Sequence, residues 1–125
     1  MRILLDTHIF LWCVTDNKQL SRHARTLIAT AQEIYVSSAS IWEIAIKTKL
    51  GKLHADVNSL VDAITESGFI ELPITAEHAA GINDLPDIHR DPFDRILLSQ
   101  AINEPLKFLT VDATLQRYSH LTDVV

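Results

Sequence analysis

The chain of 125 residues has few of the residues that mark secreted or loop-rich proteins. Its single cysteine, Cys13, excludes an internal disulfide framework, and we expect a reducing compartment. Only three glycines and four prolines are present, and they are scattered, which predicts short connections. Without a repeat, a low-complexity tract or a long linker, residues 1–125 are expected to form one domain with its own buried core.

A hydrophobic run long enough to cross a bilayer is also missing. The apolar start, MRILLDTHIFLWCV, is interrupted by Asp6 and His8, and no small-residue cleavage site follows it. We therefore expect a buried strand that runs into a helix, in a cytoplasmic protein, rather than a signal peptide.

The sequence has no excess of basic residues. Its formal net charge is −5 with histidine neutral, whereas nucleic-acid-binding proteins usually present a basic face. Either the chain never meets a polyanion, or its acidic side chains gather around divalent cations that invert the local field. A hydrophobic content of 47% with 22% charged residues is typical of a soluble globular protein and argues against disorder.

Predicted strands alternate with predicted helices along the chain. Short apolar runs predict strands at 2–6, 34–36, 69–72 and 107–110, with an edge strand at 122–124. Helical spacing and capping residues predict helices at 7–14, 21–31, 39–50, 56–66, 76–83, 92–103 and 113–118. This alternation is typical of an α/β fold whose parallel sheet is covered on both faces. Because sites in such sheets form outside the carboxyl ends of the strands, acids at strand-to-helix junctions are the first candidates.

Four acids stand near such junctions: Asp6, Glu43, Asp94 and Asp112. Asp6 and Asp112 each have a structural alternative, which is to cap the next helix. Glu43 could complete a capping box with Ser40 or form an exposed pair with Lys47. If the helix begins earlier, at 37 or 38, the box is lost and Glu43 points inward, where a carboxylate needs a partner.

The stretch HRDPFDRILL (89–98) holds two aspartates three residues apart. Asp91 followed by Pro92 is a favourable helix start, with Asp at the N-cap and Pro at the first helical position. Asp94 shares a helical face with Leu97 and Leu98, which should pack on the sheet. The helical phase therefore predicts that Asp91 caps the helix and that Asp94 points inward as the better ligand.

Taken together, the four acids predict a metal site. The carboxyl ends of parallel strands lie on one edge of a sheet, so the carboxylates can converge there and repel one another. Hard oxygen ligands with excess negative charge suit Mg²⁺ or Mn²⁺. Such ions activate water and polarise phosphoryl oxygens, which points to phosphodiester hydrolysis.

At these residues the chain resembles a PIN domain, and in particular the VapC-type ribonuclease toxins of bacterial toxin–antitoxin pairs. The resemblance covers nearly the whole chain and rests on LLDTH (4–8), SSASIWEIAIK (37–47) with GKL (51–53), HRDPFDRILLSQA (89–101) and LTVDATL (109–115). It implies a three-layer α/β/α sandwich with a mainly parallel sheet and a Mg²⁺- or Mn²⁺-dependent endoribonuclease site. It also implies a homodimer and a small antitoxin protein as partner.

Asp6, Glu43, Asp94 and Asp112 match the acidic quartet of that family, and Thr110 matches its common Thr or Ser near the last of these strand ends. We expect Asp6, Asp94 and Asp112 to coordinate metal, with Glu43 as a further ligand or acting through water. Asp91 falls outside the quartet.

Other side chains near these motifs carry weaker expectations. His8 and Arg95 are close enough in sequence to contact a phosphate, although His8 could equally be a buried histidine. Trp42 is expected in the core rather than as a platform for a base. The histidines without metal-ligand spacing are expected at the surface: His54, His78 and His120.

Two rival functions remain open. A receiver domain or a haloacid-dehalogenase-like phosphatase would share the sheet, but such a phosphatase normally needs a second aspartate two residues after the first, where this chain has His8. A pure interaction module would use all the acids as caps.

The partner surfaces are open as well. The apolar faces of helices 21–31 and 56–66 could form a groove for an antitoxin helix or be core. Lys47, Lys49 and Lys52 could guide RNA through phosphate contacts or form a solvated helix end.

Overall fold

The computed structural model describes residues 1–125 and is built on a five-stranded parallel sheet. The strands are β1 (Arg2–Leu5), β2 (Glu33–Ser37), β3 (Ile70–Leu72), β4 (Lys107–Thr110) and β5 (Thr122–Val124). Their order in the sheet is β3-β2-β1-β4-β5, and every neighbouring pair is parallel. Each strand lies within one residue of its predicted bounds, because apolar β-formers bounded by polar junctions leave little choice of position.

Six α-helices connect and cover the strands: α1 (Thr7–Val14), α2 (Arg22–Thr30), α3 (Ser38–Lys49), α4 (Val57–Glu66), α5 (Ala76–Gly81) and α6 (Pro92–Asn103). Two 3-10 segments follow α5 and β4, at Ile82–Asp84 and Ala113–Arg117. Gly51 and Gly68, just beyond α3 and α4, have φ of +73° and +78°. That left-handed conformation ends a helix at low cost only in glycine, which is why both predicted helix ends were confirmed.

Side chains alternate between two apolar layers on the sheet. On β1, Ile3 and Leu5 face a cluster that includes the apolar faces of α1, α2 and α4. Leu4 faces the other way, into a cluster dominated by α6. Both faces of the sheet are therefore buried, and the predicted three-layer α/β/α sandwich is confirmed. The apolar faces of α2 and α4 pack in this core. Of the two expectations for these helices, core or antitoxin groove, the structure therefore shows the core.

The strand order places a crevice between β1 and β4. From β1 the chain builds outward through β2 and β3, then returns to the other side of β1 for β4 and β5. Sites in open α/β sheets form at such a reversal, outside the carboxyl ends of the strands. Asp6 follows β1 directly and Asp112 follows β4 by one residue, so both stand at this crevice. None of the helices combines the length and apolar character needed to cross a membrane.

Candidate metal centre

Asp6 lies directly after β1, inside the crevice, and is only 6% exposed. One carboxylate oxygen, Oδ1, accepts the main-chain N–H of Thr7 at 2.7 Å, so Asp6 does cap α1. The other, Oδ2, accepts the hydroxyl of Thr110 at 2.5 Å across from β4. Burial raises the pKa of Asp6, and the charge of Glu43 raises it further, while these two hydrogen bonds hold it down. The cap and a site at the strand end are thus compatible uses of one carboxylate.

Glu43 projects inward from α3 and is 5% exposed. The helix begins at Ser38, and the hydroxyl of Ser37 caps it by accepting the N–H of Ala39 at 2.9 Å. The capping box between Ser40 and Glu43 is therefore absent, as expected for an early helix start.

Two side chains bind the Glu43 carboxylate. The hydroxyl of Thr7 donates to Oε1 at 2.8 Å, and Lys47 Nζ lies 2.6 Å from Oε2. The predicted i,i+4 pair with Lys47 forms, but with a buried rather than an exposed glutamate. Its hydrogen bond with Glu43 raises the pKa of Lys47, and the charges of Asp91 and Asp94 add to that rise. Lys47 is thus a cation at the edge of the acidic group, bound to Glu43 rather than free.

The two aspartates of the HRDPFD stretch separate as the helical phase predicts. Asp91 is the N-cap of α6, and its Oδ1 accepts the N–H groups of Phe93 at 2.8 Å and Asp94 at 3.1 Å, with Pro92 as the first helical residue. Asp94 instead turns toward the crevice, with its side chain 19% exposed. Burial raises the pKa of Asp94 to about 7, and the negative charges of Asp6 and Asp91 contribute, while a contact with His89 opposes the rise.

Asp112 closes the group on the β4 side. Its Oδ1 accepts the N–H of Thr114 at 2.9 Å, so it caps the 3-10 segment. Its own N–H donates to Thr110 Oγ1 at 3.1 Å, which ties the Asp112 backbone to the hydroxyl that holds Asp6. An oxygen of Asp112, an oxygen of Asp94 and a nitrogen of His89 all lie within 4.8 Å of one another.

His89 is the polar site residue that the sequence did not reveal. Its Nε2 is 2.7 Å from Asp94 Oδ2, and it comes from the loop before α6. The sequence places His89 five residues before Asp94, but in a loop this spacing does not predict that the two side chains lie together.

Several other expectations are settled by position. His8 is exposed rather than buried, on the α1 side of the site. The Arg95 guanidinium donates hydrogen bonds to the carbonyl oxygens of Pro86 and His89, both at 3.1 Å. It is therefore bound to the loop before α6 rather than free to contact a phosphate. The surface assignment of His78 is wrong: it is 2% exposed, completes the capping box of α5 with Thr75 and contacts Glu104 at 2.6 Å.

The prediction that Trp42 lies in the core is also wrong. It is 57% exposed and packs edge to face on Phe93, with ring centroids 5.1 Å apart, instead of entering the core. Helical periodicity could not decide this, because apolar residues lie on all sides of α3 between Ala39 and Ile46. His54 and His120 are exposed as predicted.

Two adjoining cavities open beside the acidic group. A pocket of about 260 Å³ is lined by Thr7, His8, Glu43, Lys47 and Lys52 among others. It shares lining residues with an apolar groove of about 460 Å³ between α1, α4 and the segment 53–56. The site is therefore open to solvent on one side and continuous with an apolar surface.

The donor set fits a divalent cation. Asp6 and Asp94 both carry raised pKa values with a neighbouring carboxylate among the causes, which means that these groups repel. Lys47 is the one lysine or arginine that bonds directly to the group, and it takes only one oxygen of Glu43. A cation with several oxygen ligands would relieve the remaining repulsion.

Comparisons with known proteins identify the family of this chain. The family model of the PIN domain matches residues 3–121. The chain is 29% identical over 121 residues to ribonuclease VapC22 of Mycobacterium tuberculosis, covering 94% of this chain and 92% of that protein.

Two solved structures share the fold. The first is VapBC2 of Rickettsia felis, solved with a DNA fragment from its promoter (TM-score 0.74, 19% identity, 99% of this chain and 98% of the other). The second is VapC20 of M. tuberculosis, described as a toxin that cleaves the sarcin–ricin loop (TM-score 0.62, 15% identity, 92% and 93% coverage).

Proposed function

This chain belongs to the PIN domain family, and from that premise we propose that it is a metal-dependent endoribonuclease, the toxin of a toxin–antitoxin pair. Residues 1–125 would act as one nuclease domain, and an RNA substrate would place the activity in the cytoplasm. The observation that carries the proposal is the convergence of Asp6, Glu43, Asp94 and Asp112 on one crevice. The similarity to ribonuclease VapC22 supports RNA as the substrate.

We assign the metal-binding role to Asp6, Asp94 and Asp112, with Glu43 as a fourth ligand or as a partner through water. Held by these carboxylates, Mg²⁺ or Mn²⁺ would supply positive charge for the phosphoryl oxygens and would lower the pKa of a water molecule. Thr110 orients Asp6 by its hydrogen bond, so the carboxylate is held before the ion arrives. No side chain is needed as nucleophile.

The RNA backbone would approach across the pocket beside Glu43. Lys52 and His8 line that pocket and are exposed, so they are placed to contact phosphates. Lys47 is held by Glu43 and contributes charge at the site rather than a free phosphate contact. The charges of Lys47 and Lys52 would make this side of the site less acidic than the chain as a whole, which favours an RNA substrate.

The test is cleavage of RNA in the presence of Mg²⁺ or Mn²⁺ by three variants. Asp6→Asn and Asp94→Asn should each abolish cleavage while the fold is kept. Asp91→Asn is the matched control on the same helix, since asparagine is also a good N-cap, and it should stay active. Cleavage that survives both site substitutions would overturn the metal-site proposal.

A second candidate function is a non-catalytic interaction module. It is favoured by one observation, that Asp6, Asp91 and Asp112 all do cap helical segments. It does not account for Glu43 and Asp94, which cap nothing and are turned into the crevice. Stable binding of an antitoxin by a wild-type protein that never cleaves RNA, with either metal, would favour it.

For the antitoxin, we propose an amphipathic helix in the apolar groove between α1 and α4. The groove opens toward the acidic site, so a basic residue beyond the helix could reach the carboxylates. Ala63→Arg would fill the groove without entering the core and should prevent binding, whereas Ala80→Arg at an exposed position of α5 should not. The probe is the product of a short reading frame next to this gene, co-expressed with the toxin. Equal binding by both variants would place the antitoxin elsewhere.

For the homodimer, we propose the exposed stripe of α3. Trp42, Ile46 and Leu50 follow one another at i, i+4 and i+8 and are 57%, 38% and 62% exposed. An isologous interface pairs the same patch of both subunits, which a single apolar stripe satisfies. Leu50→Glu should give a monomer in light scattering after size exclusion, while Val61→Glu on α4 should not. A monomeric wild type would contradict this.

A further inference from the structure

Three hydrogen bonds hold the main chain of His89. Its main-chain N–H donates to the hydroxyl of Tyr118, which donates in turn to the His89 carbonyl at 3.1 Å. Arg95 Nη1 also donates to that carbonyl at 3.1 Å. These contacts fix both main-chain polar groups of a loop residue, so the ring is presented to the crevice by a supported backbone.

The ring of His89 meets the two aspartates at a spacing that one ion can bridge. One nitrogen of His89 and one oxygen each from Asp94 and Asp112 lie within 4.8 Å of one another. Ligands about 2.1 Å from an ion are separated by about 3 Å when adjacent and about 4.2 Å when opposite. Closing the three atoms around an ion therefore needs movements of roughly half an ångström, which side-chain rotation provides.

The solvent exposure of this group allows an ion to enter. The side chains of His89 and Asp94 are 29% and 19% exposed, in contrast to Asp6 and Glu43 deeper in the crevice. His89 is the only side chain that makes a hydrogen bond with the Asp94 carboxylate. When a cation binds Asp94, the hydrogen bond between His89 and Asp94 must therefore break or rearrange.

We propose that His89 is a direct metal ligand, and that the ion bound by Asp94 and Asp112 therefore has a nitrogen in its coordination shell and is selected as Mn²⁺ over Mg²⁺. Imidazole nitrogen binds transition-metal ions better than Mg²⁺, whereas carboxylates serve both. The inference deepens the proposed metal site and does not depend on RNA being the substrate. A histidine ligand would add to the acidic quartet without replacing any member.

The structural alternative is that His89 only positions Asp94 through a hydrogen bond. Glutamine separates the two roles, because its amide nitrogen can reach the position of Nε2 and still donate to Asp94. It is a poor ligand for a transition metal. His89→Gln thus retains the positioning role and removes the nitrogen ligand, and His120→Gln is the matched control at an exposed histidine outside the site.

The deciding measurement is pulsed electron paramagnetic resonance of Mn²⁺ bound to the RNA-free protein. The wild type should show coupling to a directly bound nitrogen, which changes on ¹⁵N labelling of histidine. His120→Gln should keep the coupling, and His89→Gln should lose it. Calorimetric titrations should show Mn²⁺ affinity reduced at least about tenfold by His89→Gln, with Mg²⁺ affinity reduced less than about threefold.

The inference is overturned if bound Mn²⁺ shows no histidine nitrogen in the wild type, if the coupling survives His89→Gln, or if both ions weaken equally. The labelled wild type alone tests nitrogen coordination should the variant not fold. RNA cleavage without nitrogen coupling refutes the role of His89 but supports the proposed ribonuclease function. Nitrogen coupling without cleavage supports the role of His89 but contradicts the ribonuclease function. A wild type that binds Mg²⁺ but not Mn²⁺ refutes the role of His89 alone, and one that binds neither ion refutes both proposals.

Discussion

Replacing Asp94 by asparagine should stabilise the metal-free protein at alkaline pH. The folded protein holds the pKa of Asp94 at about 7, against an ordinary value of 3.8. Ionising this carboxylate therefore opposes folding, and an amide that can still accept a hydrogen bond from His89 removes the opposition. The substitution that should abolish catalysis is expected to strengthen the fold, as is common for side chains kept for function.

The sign and size follow from proton linkage. Between the two pKa values the folded chain binds more protons than the unfolded chain, so this group's contribution to stability is full below pH 3.8 and is lost as the pH rises through 7. At about 1.4 kcal/mol for each unit, the difference of roughly three units sets an upper bound of about 4 kcal/mol at pH 8. Because the carboxylate is 19% exposed, solvent screening reduces this, and we expect about 2 kcal/mol.

The assay is urea denaturation with EDTA at pH 5 and at pH 8. At pH 5 the unfolded chain is already ionised at Asp94, so somewhat over a third of the effect is present, and Asp94→Asn should gain a little under about 1 kcal/mol. This gain should grow by about 1–1.5 kcal/mol by pH 8. Asp91→Asn controls for loss of charge on the same helix and should reproduce little of this change. An Asp94→Asn protein that is less stable than wild type at pH 8, or whose gain does not depend on pH, would refute the reasoning.

The remaining predictions concern the supports of the site and its ion. Thr110→Val removes a buried hydroxyl that donates to Asp6 and accepts from Asp112, so it should cost about 1.5–3 kcal/mol of unfolding free energy, measured in urea at pH 7. A cost below about 0.5 kcal/mol would contradict the assigned bonds. Lys47→Met leaves the buried Glu43 carboxylate without its cation. Because Lys47 is 38% exposed, the cost in unfolding free energy should be about 1–2 kcal/mol in urea at pH 7. A variant as stable as the wild type would contradict the assigned ion pair. Mn²⁺ at a hundred times its dissociation constant should raise the stability of the wild type by about 2.7 kcal/mol, and a thermal shift of equal size in Asp94→Asn would place the ion elsewhere.

Short-range rules were enough to locate most elements of this fold. Uninterrupted apolar strands, Ser and Asp caps, and glycines past the helix ends all act within a few residues, so the bounds of α1, α6, β4 and β5 agree with their predictions. The same rules separated Asp91 from Asp94, because helical phase is a local property. The same rules did not decide whether Ser37 or Ser40 caps α3, since serine is a good N-cap at either position. The start of the helix matters because it determines the direction in which Glu43 points.

Side chains whose surroundings come from distant parts of the chain were not predicted correctly. His78 is buried because Glu104, 26 residues away, reaches it on the neighbouring helix. Trp42 is exposed because α3 lies at the edge of two apolar layers, where its outward face has no cover. Neither outcome depends on residues close enough to be read as a local pattern.

What the sequence determined by itself is the parallel α/β architecture and the candidacy of four acids, since strand composition, helical phase and junction position are all local. Only the tertiary structure decided how those acids are grouped. It joined Asp6 to Thr110 across β1 and β4, linked Glu43 of α3 to Thr7 of α1, and set His89 against Asp94 from a loop without periodicity. Distances between carboxylates, and the pKa values that follow from them, depend on how strands far apart in sequence meet at one edge of the sheet.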